Sequence, residues 1–136
     1  SDLQLEMRLM FEEPMFFVCC DDHPRASDKV VSLVDLADED LIGFPPDWGF
    51  RCLMDNAFLE AGIQSQPVHV IPAGFSVIGE LVRQGLGTTF MPASECREFD
   101  DLRAIALSQN VTWQVYMASQ STDRLTPSSA PPASTP

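Results

Sequence analysis

Apolar residues recur at helical spacing in two stretches in the middle of the chain. From Phe50 to Ala61 they lie three or four positions apart, which predicts a helix that Asp47 caps and Gly62 ends. A second helix is predicted from Ser76, its expected N-cap, to Gly85. Each predicted helix therefore has a capping residue, an apolar stripe and a glycine at its end.

Short apolar runs predict the strands, and their order along the chain indicates the fold class. The expected strands span 14–20, 41–44, 67–71, 88–91, 102–107 and 111–118. A short helix is expected at 32–38, where Ser32 and Asp35 have near capping-box spacing. Because strands alternate with helices through the middle of the chain, a mostly parallel α/β sheet is predicted. Such sheets bind ligands beyond the carboxyl ends of their strands, where the next helices begin.

Two loops and one strand end are expected to meet at that edge of the sheet. The loops are 45–51 and 72–77, and the strand ends at Pro92. The candidate ligand-binding residues there are Trp48, Phe50, Arg51, Gly74, Phe75, Ser76, Met91 and Pro92. Helix N-termini, aromatic side chains and an arginine together favour a small organic anion, a carboxylate with an apolar or aromatic body.

Each of these candidates also has an ordinary structural explanation, which the sequence leaves open. Ser76 is a helix cap whose hydroxyl is also suited to bind an anion. Arg51 is either an exposed surface arginine or the partner of a ligand carboxylate. The aromatic residues Trp48, Phe50 and Phe75 are either core residues or walls of a pocket.

Composition and charge exclude several classes of function. The 136 residues include 8 Lys+Arg and 20 Asp+Glu, a net charge of -12, so the chain is not expected to bind nucleic acid by itself. No apolar run is long enough to span a membrane. The start, SDLQLEM, has no secretory leader and no initiator Met, as expected of a fragment or a processed chain. The four cysteines are expected to be reduced and buried or half-buried, and neither a metal site nor a cofactor motif is predicted.

Four segments, in this order, resemble the effector-binding domain of LysR-type transcriptional regulators. They are EPMFFVCCDDHP (13–24), LVDLADEDLIGFPPDWGFR (33–51), the helix that ends in EAG (60–62), and SVIGELVRQGLGTTFMPAS (76–94). The resemblance extends from about Leu5 to Pro127. No single segment is decisive, and the specificity comes from the ordered set.

The resemblance implies an α/β, periplasmic-binding-protein-like (type 2) fold of two lobes, with a small-molecule effector in the cleft between them. It implies a cytoplasmic regulator that forms homo-oligomers and binds DNA through an N-terminal winged helix-turn-helix absent from this sequence. The expected division is a partial first lobe at 1–26, a complete second lobe at 27–100, return strands at 101–118 and a disordered Ser/Thr/Pro-rich tail at 119–136.

Two other classes of protein share this architecture. An extracytoplasmic solute-binding protein is the main alternative, and the absence of a leader at the start disfavours it. An enzyme on the same fold requires an acid–base or cofactor constellation, and the sequence shows no such set. The ordered set of four segments therefore favours the regulator, which is not an enzyme and needs no cofactor.

Overall fold

The computed structural model describes residues 5–119 and the strand at 125–128. The strands are β1 (Glu6–Cys20), β2 (Val30–Val31), β3 (Ile42–Gly43), β4 (His69–Val70), β5 (Thr89–Pro92), β6 (Leu102–Leu107), β7 (Thr112–Ser119) and β8 (Leu125–Ser128). The helices are a 3-10 turn (Leu33–Leu36), α1 (Gly49–Glu60), α2 (Phe75–Arg83) and α3 (Ala93–Cys96). All six predicted strands and both long helices are present, and β2, α3 and β8 are additional.

The long strand β1 is shared between two sets of partners. Its residues 15–18 pair with β5 and its residues 16–20 pair with β6, on opposite edges. Its residues 6–14 pair with β7, with a bulge between Leu9 and Phe11. We call residues 6–14 of β1 together with β7 the crossover ribbon, because the chain leaves the α/β sheet through it.

The prediction of a mostly parallel sheet is wrong for the pairings that β1 makes, which are all antiparallel. The other strands of the α/β layer do run together: β2 is parallel to β6, β3 is parallel to β4, and Leu41 forms a parallel bridge with Thr88. Since β5 and β6 are both antiparallel to β1, they are parallel to each other. A single inverted strand inserted between them therefore accounts for the difference.

The two long helices end at the predicted glycines, but they begin at residues other than the predicted N-caps. Gly62 and Gly85 have φ values of 79° and 86°, the left-handed conformation expected after a helix. The N-cap of α1 is Trp48, not Asp47, and the N-cap of α2 is Gly74, not Ser76. Both N-cap residues are extended, and neither helix start has a side-chain cap hydrogen bond.

The short helix is a 3-10 turn with the expected capping box. The Ser32 side chain accepts a hydrogen bond from the backbone N–H of Val34, and the Asp35 side chain accepts one from the backbone N–H of Ser32. Leu33 and Leu36 are fully buried. The box therefore fixes the turn that places two leucines under the sheet.

The core lies between the C-terminal half of β1, the strands beside it and the two long helices. Its most buried members include Phe17, Val18, Leu36, Ile42, Ile78, Val82, Met91 and Ile105. Burying each such side chain stabilises the fold by about 1.5–3 kcal/mol. Helix α2 approaches Phe99 so closely that a Cβ atom at Gly79 would lie 2.2 Å from the ring. By contrast, Leu9, Met10 and Phe11 in the crossover ribbon are exposed.

The cysteines and the tail differ in part from expectation. All four cysteines are free; Cys19 is buried, Cys20 and Cys96 are half-buried, and Cys52 is exposed. Disorder was expected for 119–136, but Ser119 belongs to β7, and β8 pairs with that strand antiparallel. Pairing with β7 satisfies the backbone of this short, polar segment. The remainder of the predicted tail lies outside the described residues. Within the described part of the chain, no helix is long and apolar enough to cross a membrane.

Candidate functional site

The first turns of α1 and α2 lie side by side, as the two-loop prediction requires. The rings of Phe50 and Phe75, one in each first turn, have centroids 5.0 Å apart. Phe44, just after β3, contacts Phe75 with ring centroids 5.1 Å apart. Each helix follows one of the parallel strands β3 and β4, so the two N-termini emerge at the same edge of the sheet.

Five rings form one aromatic cluster at this edge: Phe44, Trp48, Phe50, Phe75 and Trp113. Trp48 stacks on Phe44, with centroids 5.0 Å apart and planes at 17°. Trp113 comes from β7 and contacts Phe50 at 5.1 Å. The cluster therefore joins the two helix starts to the crossover ribbon. Trp48 keeps 37% of its surface exposed, so one aromatic face is available to a ligand.

Arg51 is buried rather than exposed, with a relative accessibility of 7%. Its Nε donates to both carboxylate oxygens of Asp55, at 2.9 and 3.0 Å, and its Nη1 donates to the carbonyl oxygen of Phe44 at 3.0 Å. The expectation of a surface arginine is therefore wrong. Asp55 and the Phe44 carbonyl therefore occupy Nε and Nη1 of the guanidinium, and the side chain is held against its own helix.

A small, partly open cavity lies beside Arg51. Its volume is about 30 Å³, and apolar side chains such as Ile42, Met54 and Phe58 line most of it. A single water needs about 10–15 Å³ on this measure, so the cavity has room for one or two waters. This cavity therefore does not hold an effector of the predicted size in this structure.

The start of α2 offers the most accessible polar groups of the predicted set. Gly74 and Ser76 are exposed and Phe75 is half-buried. Ser76 is the second residue of the helix, so its hydroxyl lies in the first turn, where backbone N–H groups have no intrahelical acceptor. Although Ser76 is not the N-cap, its position remains suitable for an anion.

Two members of the predicted set are enclosed. Met91 has 0% of its surface exposed, and Pro92 is also fully buried. Both belong to β5, which pairs with β1 and is contacted by α2 and α3, and this explains their burial. Their side chains therefore support the site from within.

Glu13 and Ser94 make a contact that the sequence does not suggest. The Glu13 carboxylate accepts hydrogen bonds from the backbone N–H of Ser94 at 2.6 Å and from its hydroxyl at 2.8 Å. Ser94 lies in the first turn of α3, and Glu13 lies in β1. Burial, followed by the nearby Glu98 and Glu13 carboxylates, raises the pKa of the neighbouring Glu95.

Phe44, Trp113, Glu13 and Ser94 are not among the residues that the sequence predicts for the site. Phe44 stands directly before the Pro45-Pro46 loop, a position that signals the strand end. Trp113 and Glu13 join the site only through long-range pairing of β1 with β7, for which the sequence carries no local signal.

Solved effector-binding domains share this fold. The BenM effector binding domain with its effector benzoate matches with a TM-score of 0.73 and 22% identity, over 89% of this chain and 57% of that chain. The effector binding domain of QuiR in complex with shikimate matches with a TM-score of 0.70 and 22% identity, over 96% of this chain and 60% of that one. The fold is therefore that of effector-binding domains of the type 2 periplasmic-binding-protein-like class.

Residues 1–130 match the family described as LysR substrate binding domain, and the chain belongs to that family. The HTH-type transcriptional regulator CbbR of Xanthobacter flavus is 34% identical over 92 residues, 67% of this chain and 28% of the regulator. The DNA-binding transcriptional dual regulator OxyR of Escherichia coli K12 is 32% identical over 87 residues, 62% and 27% of the respective chains. The chain thus spans little more than a quarter of these relatives, which are transcriptional regulators and not enzymes.

Proposed function

We propose that this chain senses a small carboxylate effector for a LysR-type transcriptional regulator, and that the effector binds where α1 and α2 begin. The observation that carries the proposal is the exposed first turn of α2, Gly74–Ser76, next to the aromatic cluster. This arrangement places hydrogen-bond donors beside an apolar wall. A carboxylate with an apolar or aromatic body requires both.

The donors are the free N–H groups of the first turn of α2 and the Ser76 hydroxyl. A helix N-terminus carries a partial positive charge and stabilises an anion there. Arg51, bound to Asp55, has no direct part in this proposal. The exposed face of Trp48 is suited to stack on the body of the effector.

Ligands of structural neighbours agree with this class of effector. BenM binds benzoate and QuiR binds shikimate, both of which are carboxylates, and the CcmR regulatory domain of Synechocystis PCC6803 binds 2-PG. The chain is 16–22% identical to these proteins, so the fold is comparable and the individual contacts are this protein's own.

The remaining properties of the complete protein follow from the same proposal. DNA binding belongs to a helix-turn-helix part outside this chain, which fits the net charge of -12 on the present residues. We place the regulator in the cytoplasm, where its DNA is, and expect it to act as a homo-oligomer. A mobility-shift titration of the 136-residue chain with duplex DNA should show no complex at physiological salt.

Calorimetry on the complete gene product tests the carboxylate site. Benzoate and shikimate are titrated beside benzamide and shikimamide, which keep the ring and lose the charge. At least one acid should bind, with its amide about 10-fold weaker or more, since a charge-assisted hydrogen bond contributes about 1.5–3 kcal/mol. Ser76→Ala should weaken the acid about 5- to 10-fold, from the loss of one hydrogen bond.

Ser27→Ala is the matched control, because Ser27 is also exposed and lies in a turn away from both helices. This variant should bind the acid as the parent does. If the amide binds as tightly as its acid, or if Ser76→Ala matches the parent, the start of α2 is not an anion site.

A further inference from the structure

Glu13 and Trp113 occupy directly opposite positions on the two strands of the crossover ribbon. Directly opposed residues of an antiparallel pair point to the same face of the sheet. Both side chains reach from that face into the 27–100 lobe: Glu13 bonds Ser94 in α3, and Trp113 contacts Phe50 in α1. Glu13 and Trp113 therefore contact two different helices, Glu13 through hydrogen bonds and Trp113 through its ring.

The hydrogen bonds between Glu13 and Ser94 have a specific geometry. Both Glu13 oxygens are used, one by the Ser94 N–H at 2.6 Å and one by its hydroxyl at 2.8 Å. Hydrogen bonds to an ionised acceptor are shorter and about twice as strong as neutral ones. Pro14 follows at once and contributes no N–H group, and the next backbone donor, Met15, bonds the Val111 carbonyl at 3.0 Å. The Glu13 side chain adds a bond to α3 at the point where β1 passes from one set of partners to the other.

The aromatic half connects the ribbon to the proposed effector site. The Trp113 ring contacts Phe50, whose ring contacts Phe75 at the start of α2. A change in the packing of Phe50 or Phe75 therefore alters the surface on which Trp113 rests.

We propose that Glu13 and Trp113 form a clamp that fixes the crossover ribbon on the 27–100 lobe, with Glu13 as the positioning residue. The clamp sets the orientation in which β1 and β7 leave the lobe. Its use as a signal path from a bound effector rests on the proposed function. The clamp itself exists without a ligand and can be tested in its absence.

The chain has two tryptophans, Trp48 and Trp113, so Trp48→Phe leaves Trp113 as the sole reporter. In this background, Glu13→Ala should shift Trp113 emission to longer wavelength and raise its acrylamide quenching constant about twofold. Ser94→Ala should give a smaller change, because the backbone N–H still donates to Glu13. Ser94→Thr, which keeps a hydroxyl, should match the parent. Far-UV circular dichroism establishes that each variant keeps its secondary structure.

Glu12→Ala is the matched control, since Glu12 is the neighbouring exposed carboxylate on β1 and bonds Gln114 on β7 instead of the lobe. It should leave Trp113 emission unchanged. The clamp would be overturned if Trp113 emission and quenching were the same in Glu13→Ala as in the parent. It would also be overturned if Glu12→Ala shifted them as much as Glu13→Ala does.

If Glu13→Ala fails to fold, the Trp113 emission of Ser94→Ala is compared with that of Ser94→Thr. A difference in emission between these two variants supports the clamp, and equal emission rejects it. No effector is present in these measurements. A failure here is therefore distinct from a failure of the carboxylate titrations.

Discussion

The buried ion pair of Arg51 and Asp55 leads to an asymmetric prediction for stability. The Arg51 side chain is 8% exposed, whereas the Asp55 side chain is 35% exposed. Removing Asp55 leaves a buried guanidinium with one remaining acceptor, the Phe44 carbonyl. Removing Arg51 leaves a carboxylate that water can reach. Asp55→Ala should therefore cost more than Arg51→Met, although both delete the same pair.

The magnitudes follow from the exposure of each partner. Breaking a fully buried pair from one side costs about 3–5 kcal/mol, and the partial exposure of Asp55 reduces this to about 2–4 kcal/mol for Asp55→Ala. Arg51→Met keeps most of the side-chain volume and loses the hydrogen bond to Phe44, a cost of about 1–2 kcal/mol. The double variant should cost less than the sum of the two, with a coupling of about 1–2 kcal/mol.

Equilibrium urea unfolding, followed by circular dichroism, measures all three values. With a urea slope of about 2 kcal/mol/M, Asp55→Ala should lower the midpoint by about 1–2 M. Glu60→Ala, an exposed substitution on the same helix, is the control and should change the midpoint little. A cost for Arg51→Met that equals or exceeds that of Asp55→Ala would refute the reasoning. If Arg51→Met instead abolished effector binding without loss of stability, Arg51 would be a ligand-binding residue.

Two further predictions concern packing and thiols. Gly79→Ala should destabilise the chain by about 1–3 kcal/mol in the same urea assay, because the new Cβ atom collides with the Phe99 ring. Gly74→Ala is the control, since no atom lies within 4 Å of a Cβ atom at that position. Equal losses of unfolding free energy in the two variants would contradict this packing. Burial raises the pKa of the Cys19 and Cys96 thiols from 9.0 to about 11. As the pH rises, these thiols ionise in the unfolded chain before they ionise in the folded chain. The free energy of unfolding should therefore fall between pH 9 and about 11. Cys19→Ala should reduce this pH-dependent loss of stability. If the loss of stability between pH 9 and about 11 were the same as in the parent, Cys19 would not contribute to it.

The parts of the fold that were predicted correctly are those with a local pattern. Helix α2 has its apolar stripe and Gly85, and the capping box of Ser32 and Asp35 is visible in the sequence. The first half of β1 was missed because its bulge between Leu9 and Phe11 breaks the alternation of faces. The intrinsic preference of serine favours Ser76 as the N-cap, but Phe75 packs in the aromatic cluster as the first residue of the helix.

The sequence predicts the edge of the sheet where α1 and α2 begin, but it does not predict the contacts that the side chains make there. The order of strands and helices located the edge where α1 and α2 begin, and Trp48, Gly74 and Ser76 are exposed there. The burial of Arg51 depends on tertiary packing, although Asp55 stands four residues later, at ion-pair spacing on a helix. Glu13 and Ser94 are 81 residues apart, so only the folded chain brings them together.

The inverted strand β1 has a consequence for folding during synthesis. Phe17 lies opposite Phe90 and Ile105, so β1, which lies between β5 and β6, is synthesised about 70 residues before either of them. At about 5–20 residues per second, roughly 70 residues between β1 and β5 take about 4–14 s to synthesise. Throughout that interval the run MFFVCC at 15–20 has neither neighbour and is open to aggregation. A nascent chain arrested before residue 89 should therefore bind a chaperone that recognises extended apolar segments, and release it once β5 and β6 have emerged.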